Sequence, residues 1–68
     1  MRNTAFDKDG RSIFDIYYNR TRNTLRVTLY NSDRTLVKVS KPSKDEVEYF
    51  IYGTPSYTDV RNTFSVNP

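Results

Sequence analysis

Apolar and polar positions alternate in three short runs through the middle of the chain. In Ser12 to Asn19, Phe14, Ile16 and Tyr18 recur with a period of two. In Leu25 to Tyr30, Leu25, Val27 and Leu29 face one way while Arg26, Thr28 and Tyr30 face the other. Thr35 to Ser40 sets Thr35, Val37 and Val39 against Leu36, Lys38 and Ser40. A strand buried on one face needs this alternation, and the β-branched and aromatic content suits it. Polar, turn-prone stretches at Asn19 to Thr24 and Asn31 to Arg34 separate the runs. Connections this short imply hairpins, so the pattern predicts an antiparallel meander over residues 12–41.

The period then lengthens. Pro42-Ser43-Lys44-Asp45-Glu46 reads as a helix start, in which Ser43 accepts from the amide three residues on, Glu46 reaches back to the Ser43 amide, and Asp45 suits the positive end of the helix dipole. Val47, Phe50 and Ile51 follow on one helical face. Gly53 before Thr54-Pro55 reads as the stop, with glycine taking a left-handed cap conformation and proline unable to continue the turn. A helix is expected from about Lys44 to Tyr52, within a segment spanning 43–53. Its apolar side should cover the sheet face that carries Phe14, Ile16, Leu25, Val27, Leu29, Val37 and Val39, leaving the other face open to water or a partner.

The ends are open to more than one reading. Residues 1–11 form either an N-terminal arm or, if Asp7-Lys8-Asp9-Gly10 closes a hairpin, an extra strand through Thr4-Ala5-Phe6. In the C-terminal segment, 54–68, the stretch from Ser56 to Val66 suits a short helix or an edge strand. The expected fold class is α+β: a three- to four-stranded antiparallel β-meander with one C-terminal helix packed on one face.

Length limits what this fold can hold. Sixty-eight residues make one domain, 1–68. A chain of that size buries only about 60% of the surface its unfolded form exposes. The chain has no cysteine, so neither a disulfide nor a thiolate-bound zinc can staple it, and stability falls to packing or self-association. A homo-oligomer is expected, because a short meander also leaves edge strands unpaired. No apolar run approaches the roughly 18 residues of a membrane helix, and Met1-Arg2-Asn3-Thr4 leads into charged residues where a signal peptide would be apolar. The expectation is a protein of the cytoplasm, the host's if phage-encoded, with no membrane partner.

Chemistry is restricted further. The chain has no histidine as well as no cysteine, which removes the common general base, the activated thiol and nearly every zinc site together. Asp45, Glu46 and Glu48 crowd a helix start, where capping accounts for them. Asp7-Lys8-Asp9-Gly10 lacks the further oxygen ligands and closing glutamate of a calcium loop and reads as a turn. No catalytic residue, metal or cofactor is expected, and the protein is read as a non-enzyme.

Charge placement carries the most information. From Ile16 to Lys44 the basic residues are Arg20, Arg22, Arg26, Arg34, Lys38, Lys41 and Lys44, with Asp33 the one acid, and from Asp45 to Asp59 the balance reverses. On the alternation above, Arg26 and Lys38 share the open face with Thr28, Tyr30, Ser40 and Tyr17. Cations among stackable rings suit RNA, single-stranded nucleic acid or a nucleotide, so the candidate binding residues are Arg20, Arg22, Arg26, Tyr30, Arg34 and Lys38, with Tyr17. Exposed sheet faces also carry Arg, Lys, Thr and Tyr simply as good cross-strand pairs. Tyr49 and Tyr52, three apart and off the Val47/Phe50/Ile51 face, suggest an interface; alternatively the chain's own termini pack there, with Phe64 or Val66 folding back over the helix.

Thr24-Leu25-Arg26-Val27-Thr28, Glu46-Val47 opening a helix, and Pro55-Ser56 followed by Asn62 together give the stretch from Ile16 to Ser65 a resemblance to the KTSC domain. This is a short bacterial and phage module named for its occurrence at the C-terminus of some lysyl-tRNA synthetases. The chain departs from that pattern at Val37-Lys38-Val39, where the family carries a tyrosine-X-tyrosine, and in lacking a glycine soon after Pro-Ser. The resemblance implies an RNA-binding role. A meander with a capped helix is also similar to several small phage anti-CRISPR proteins. That likeness supports a second class of function, an anti-defence or host-takeover inhibitor. Such an inhibitor would act on a host protein or, as an oligomer, by sequestering a nucleotide signal.

Overall fold

A computed structural model of the protein describes residues 1–30 and 35–64, and of 35–38 the backbone alone. Four strands, β1 (Arg2–Phe6), β2 (Ser12–Asn19), β3 (Thr24–Leu29) and β4 (Thr35–Ser40), form one antiparallel sheet in the order β1-β2-β3-β4. The chain is therefore α+β with a four-stranded meander, and the N-terminal residues form a strand, not an arm. Asp7 closes the first hairpin. Its carboxylate accepts from the amides of Asp9 (2.8 Å) and Arg11 (2.9 Å), its carbonyl accepts from Gly10, and Gly10 takes φ 80°. At the β2–β3 turn Asn23 takes φ 54°, which asparagine tolerates, and its side chain accepts from the Tyr18 hydroxyl at 2.9 Å. The turn expected over 31–34 and the end of the chain from 65 lie outside the described residues.

After β4 the capping box forms as read. Ser43 Oγ accepts from the Glu46 amide at 3.1 Å and Glu46 Oε1 accepts from the Ser43 amide at 2.8 Å, opening α1 (Lys44–Val47). The helix then widens into a π-helical turn over Glu48–Tyr52. Phe50 and Ile51 of this turn are both buried in the core. Gly53 ends it, though not in the left-handed conformation expected: its φ is −91° and ψ −166°. Glycine is required because an added Cβ would meet the Tyr49 carbonyl oxygen at 2.5 Å. A second helix, α2 (Tyr57–Phe64), follows the buried Pro55. Ser56 caps it, its Oγ accepting from the Asp59 amide at 3.1 Å while Asp59 Oδ2 accepts from the Ser56 amide at 3.3 Å.

Both helical segments pack on one face of the sheet. The core among the described residues consists of Phe14, Ile16, Leu25, Val27 and Leu29 from the strands with Phe50, Ile51, Val60 and Phe64 from the helices. Val39 and Val47 are half-buried against it. Val37 opposes Val27 in the register, but its side chain lies outside the described residues. Phe50 and Phe64 meet edge to face at 4.6 Å, so the C-terminal segment folds back on the first helix through Phe64. Asn3, on the inward side of β1, donates to the carbonyls of Phe50 (2.8 Å) and Gly53 (3.2 Å), satisfying groups the helix end leaves free. No helix among the described residues is long and apolar enough to cross a membrane.

Candidate nucleic-acid interface

Directly opposed positions in an antiparallel sheet belong to the same face. Arg2 opposes Tyr17, Tyr17 opposes Arg26 and Arg26 opposes Lys38. These four positions form one row across all four strands. The row lies on the face opposite the helices, because the neighbouring rung runs Asn3, Ile16, Val27, Val37 on the core side. The positions of Arg26 and Lys38 thus share the outer face, as the alternation predicts, and Arg26 is exposed.

The row is organised around Tyr17. The Arg2 guanidinium lies 5.3 Å from the ring centroid and the Arg26 guanidinium 5.5 Å from it. Because β1 and β3 flank β2, the two cations reach the ring from the strands on either side of it. Asp15, two rungs along, brings a carboxylate to the same face. Its Oδ1 accepts from Thr4 Oγ1 at 2.6 Å and pairs with Arg2 Nε at 3.2 Å, the Arg2 side chain being 57% exposed and that of Asp15 16%.

Magnitudes indicate how this face can engage a ligand. A cation–π contact at an exposed site contributes about 0.5–1 kcal/mol, and a surface ion pair about 0–1 kcal/mol. A base stacking on the Tyr17 ring would compete with a guanidinium, and displacing Arg2 would also break its ion pair, which offsets part of the ~1–3 kcal/mol that stacking contributes. An anion needs no stacking on the ring and can pair with the exposed Arg26 directly.

The other candidate residues are less tightly gathered. Arg20 and Arg22 are exposed in the β2–β3 turn, where Asn19 Oδ1 accepts from the Arg22 amide at 3.1 Å. The closing rung, Asn19 with Thr24, is about 7 Å along the strands from Tyr17 and Arg26. Tyr30 follows β3 at the far end, four residues or about 13 Å from Arg26, its amide bonded to the Ile13 carbonyl. It is 40% exposed but does not belong to the row. Arg34 lies outside the described residues. Arg2 and Asp15 were missed from sequence because Arg2 belongs to a segment without clear alternation, and Asp15 precedes the basic block.

On the helical side, Tyr49 is 47% exposed and Tyr52 66%. Their hydroxyls are engaged within the chain, Tyr49 donating to Asp59 Oδ2 at 2.7 Å and Tyr52 to Met1 Sδ at 3.3 Å. The hydrogen bond to Asp59, then desolvation and the carboxylate's charge, hold the Tyr49 hydroxyl above its ordinary pKa. The same bond, with those from Ser56, holds Asp59 below the usual carboxylate range. Pro55 and Ser56, singled out by the KTSC resemblance, have structural roles here as a buried residue and a helix cap, and Asn62 is exposed on α2. Among the described residues no three His, Cys, Asp or Glu side chains gather as a metal site.

No protein-family model matches this chain, and neither a curated protein nor a solved structure matches it.

Proposed function

We propose that the protein is a non-enzymatic binding module of the cytoplasm that engages RNA, single-stranded nucleic acid or a nucleotide on the outer face of its sheet. The register that aligns Arg2, Tyr17, Arg26 and Lys38 across four strands carries this reading. Arg20 and Arg22 extend the positive surface at the adjacent end of the sheet, and the KTSC resemblance implies an RNA-binding role. Titration of mixed-sequence oligonucleotides at several salt concentrations tests it. The logarithm of the affinity should fall linearly with the logarithm of salt, with a slope of at least about −1.4, the value for two phosphates neutralised on a single strand. Replacing Arg26 and Lys38 together by Ala should abolish most of that slope. Binding that ignores salt, or none at all, would remove the proposal.

The exposed rings of Tyr49 and Tyr52 favour a second reading, a phage-type inhibitor that docks a host protein on its helical side. Recovery of a stoichiometric protein partner from host lysate after nuclease treatment would select it. Loss of all bound material with nuclease would select the first reading.

A further inference from the structure

The direction and chemistry of the outer row point to more than a general affinity for polyanions. Its members lie one per strand, so the row runs perpendicular to the strands. It crosses three inter-strand gaps, about 14 Å in all. An aromatic platform for bases needs ring faces turned away from the sheet. Here two guanidiniums, one from each neighbouring strand, already lie over the Tyr17 ring, so a base could stack on it only in competition with them. The row therefore offers a ligand two guanidiniums gathered about one ring. One of the two guanidiniums is already held by an anion of the protein itself, Asp15 Oδ1 at 3.2 Å from Arg2 Nε.

Resting on the nucleic-acid reading above, we propose that a single strand crosses the sheet along this row and is held by its phosphates with the bases unread. Asp15 acts as an internal competitor for Arg2 and so sets the affinity. Tyr17 serves as the spacer that keeps the two guanidiniums a fixed distance apart, each able to bond one phosphate oxygen pair. While Asp15 holds Arg2, a strand meets Arg26 and the Lys38 position; once that carboxylate is neutralised, Arg2 becomes a further phosphate contact.

The test compares a mixed-sequence single strand with an abasic strand of equal length on the unaltered protein, then repeats both on Asp15→Asn and on Asp15→Asn combined with Arg2→Ala. The amide that replaces the carboxylate keeps an oxygen to which Thr4 can still donate, and circular dichroism checks that the sheet persists. The abasic strand should bind within about threefold of the mixed one, since each stacked base would otherwise add roughly five- to a hundredfold. Asp15→Asn should tighten both strands about fivefold and steepen the salt slope by about 0.7, one additional phosphate, and Arg2→Ala should cancel that gain. If the mixed strand binds but the abasic strand is tenfold or more weaker, bases are being read; the inference falls while the nucleic-acid reading stands. If Asp15→Asn changes neither affinity nor slope, Asp15 is no competitor and the inference again falls. If neither strand binds the unaltered protein, both fall together.

Discussion

An added Cβ at Gly53 would lie 2.5 Å from the carbonyl oxygen of Tyr49, well inside van der Waals contact. That oxygen belongs to the π-helical turn, whose end is also fixed by Asn3 bonding the Phe50 and Gly53 carbonyls. Neither side can move freely, so Gly53→Ala should destabilise the fold by about 1–3 kcal/mol, read as a lower urea midpoint with an unchanged slope. A change below about 0.5 kcal/mol would mean that the turn relaxes around the methyl group. The reason for the glycine was not legible from sequence, where a left-handed cap is the ordinary inference from a glycine followed by proline. The contact responsible depends on the geometry of the preceding turn, and the residue that bonds the end of that turn, Asn3, stands 47 positions before Phe50.

Short elements make up most of this chain, and much of their stability comes from their ends. Eight residues are too few for a helix to persist alone, so α2 depends on its Ser56–Asp59 cap and on burial of Val60 and Phe64. Asp59 also accepts from Tyr49, tying α2 to the first helix. Its lowered pKa means that its charged form is favoured in the fold. The contribution is present above the unfolded-state pKa and is lost as pH falls through the lower folded value. Tyr49 behaves in mirror image: its raised pKa favours the neutral hydroxyl, a contribution lost as pH rises through the folded value. The melting temperatures of the protein and of Asp59→Asn should therefore converge as pH drops below the carboxylate range. A gap that stays constant down to acid pH would show that the charge on Asp59 plays no part. At this scale the meander was readable, with β2 and β4 ending where the alternation ends and β3 beginning one residue earlier. The helical spacing of Tyr57, Val60 and Phe64 was present but obscured by Thr58, Asn62 and Thr63, which are weak helix formers. β1 has no alternation to read, and it is a strand because β2 pairs with it across the Asp7 turn.

At the scale of the whole molecule, two helical segments cover one face of the sheet and leave the other to charged and aromatic side chains. Alternation in β3 and β4 was enough to place Arg26 and Lys38 on one face, and the register sets them directly opposite each other. It could not add Arg2, whose place in the row follows from pairing at the opposite edge. The sheet ends in two edge strands, β1 and β4, and the described core is nine residues. Both features favour self-association, with β4 as the edge remote from the Asn3 attachment. Light scattering at micromolar concentration should give a multiple of the single-chain mass, and the mass of one chain would overturn that expectation. β1 itself plays a double part. Its successive residues look in opposite directions, Arg2 toward the Tyr17 ring and Asn3 toward the helix end. Loss of the Asn3 bonds would leave β1 attached chiefly through β2, by the ladder between them and by the Arg2 and Thr4 contacts to Asp15. Five residues thus join the outer face of the sheet to the helix end packed on its other side, so a change at either Arg2 or Asn3 falls on the same short strand.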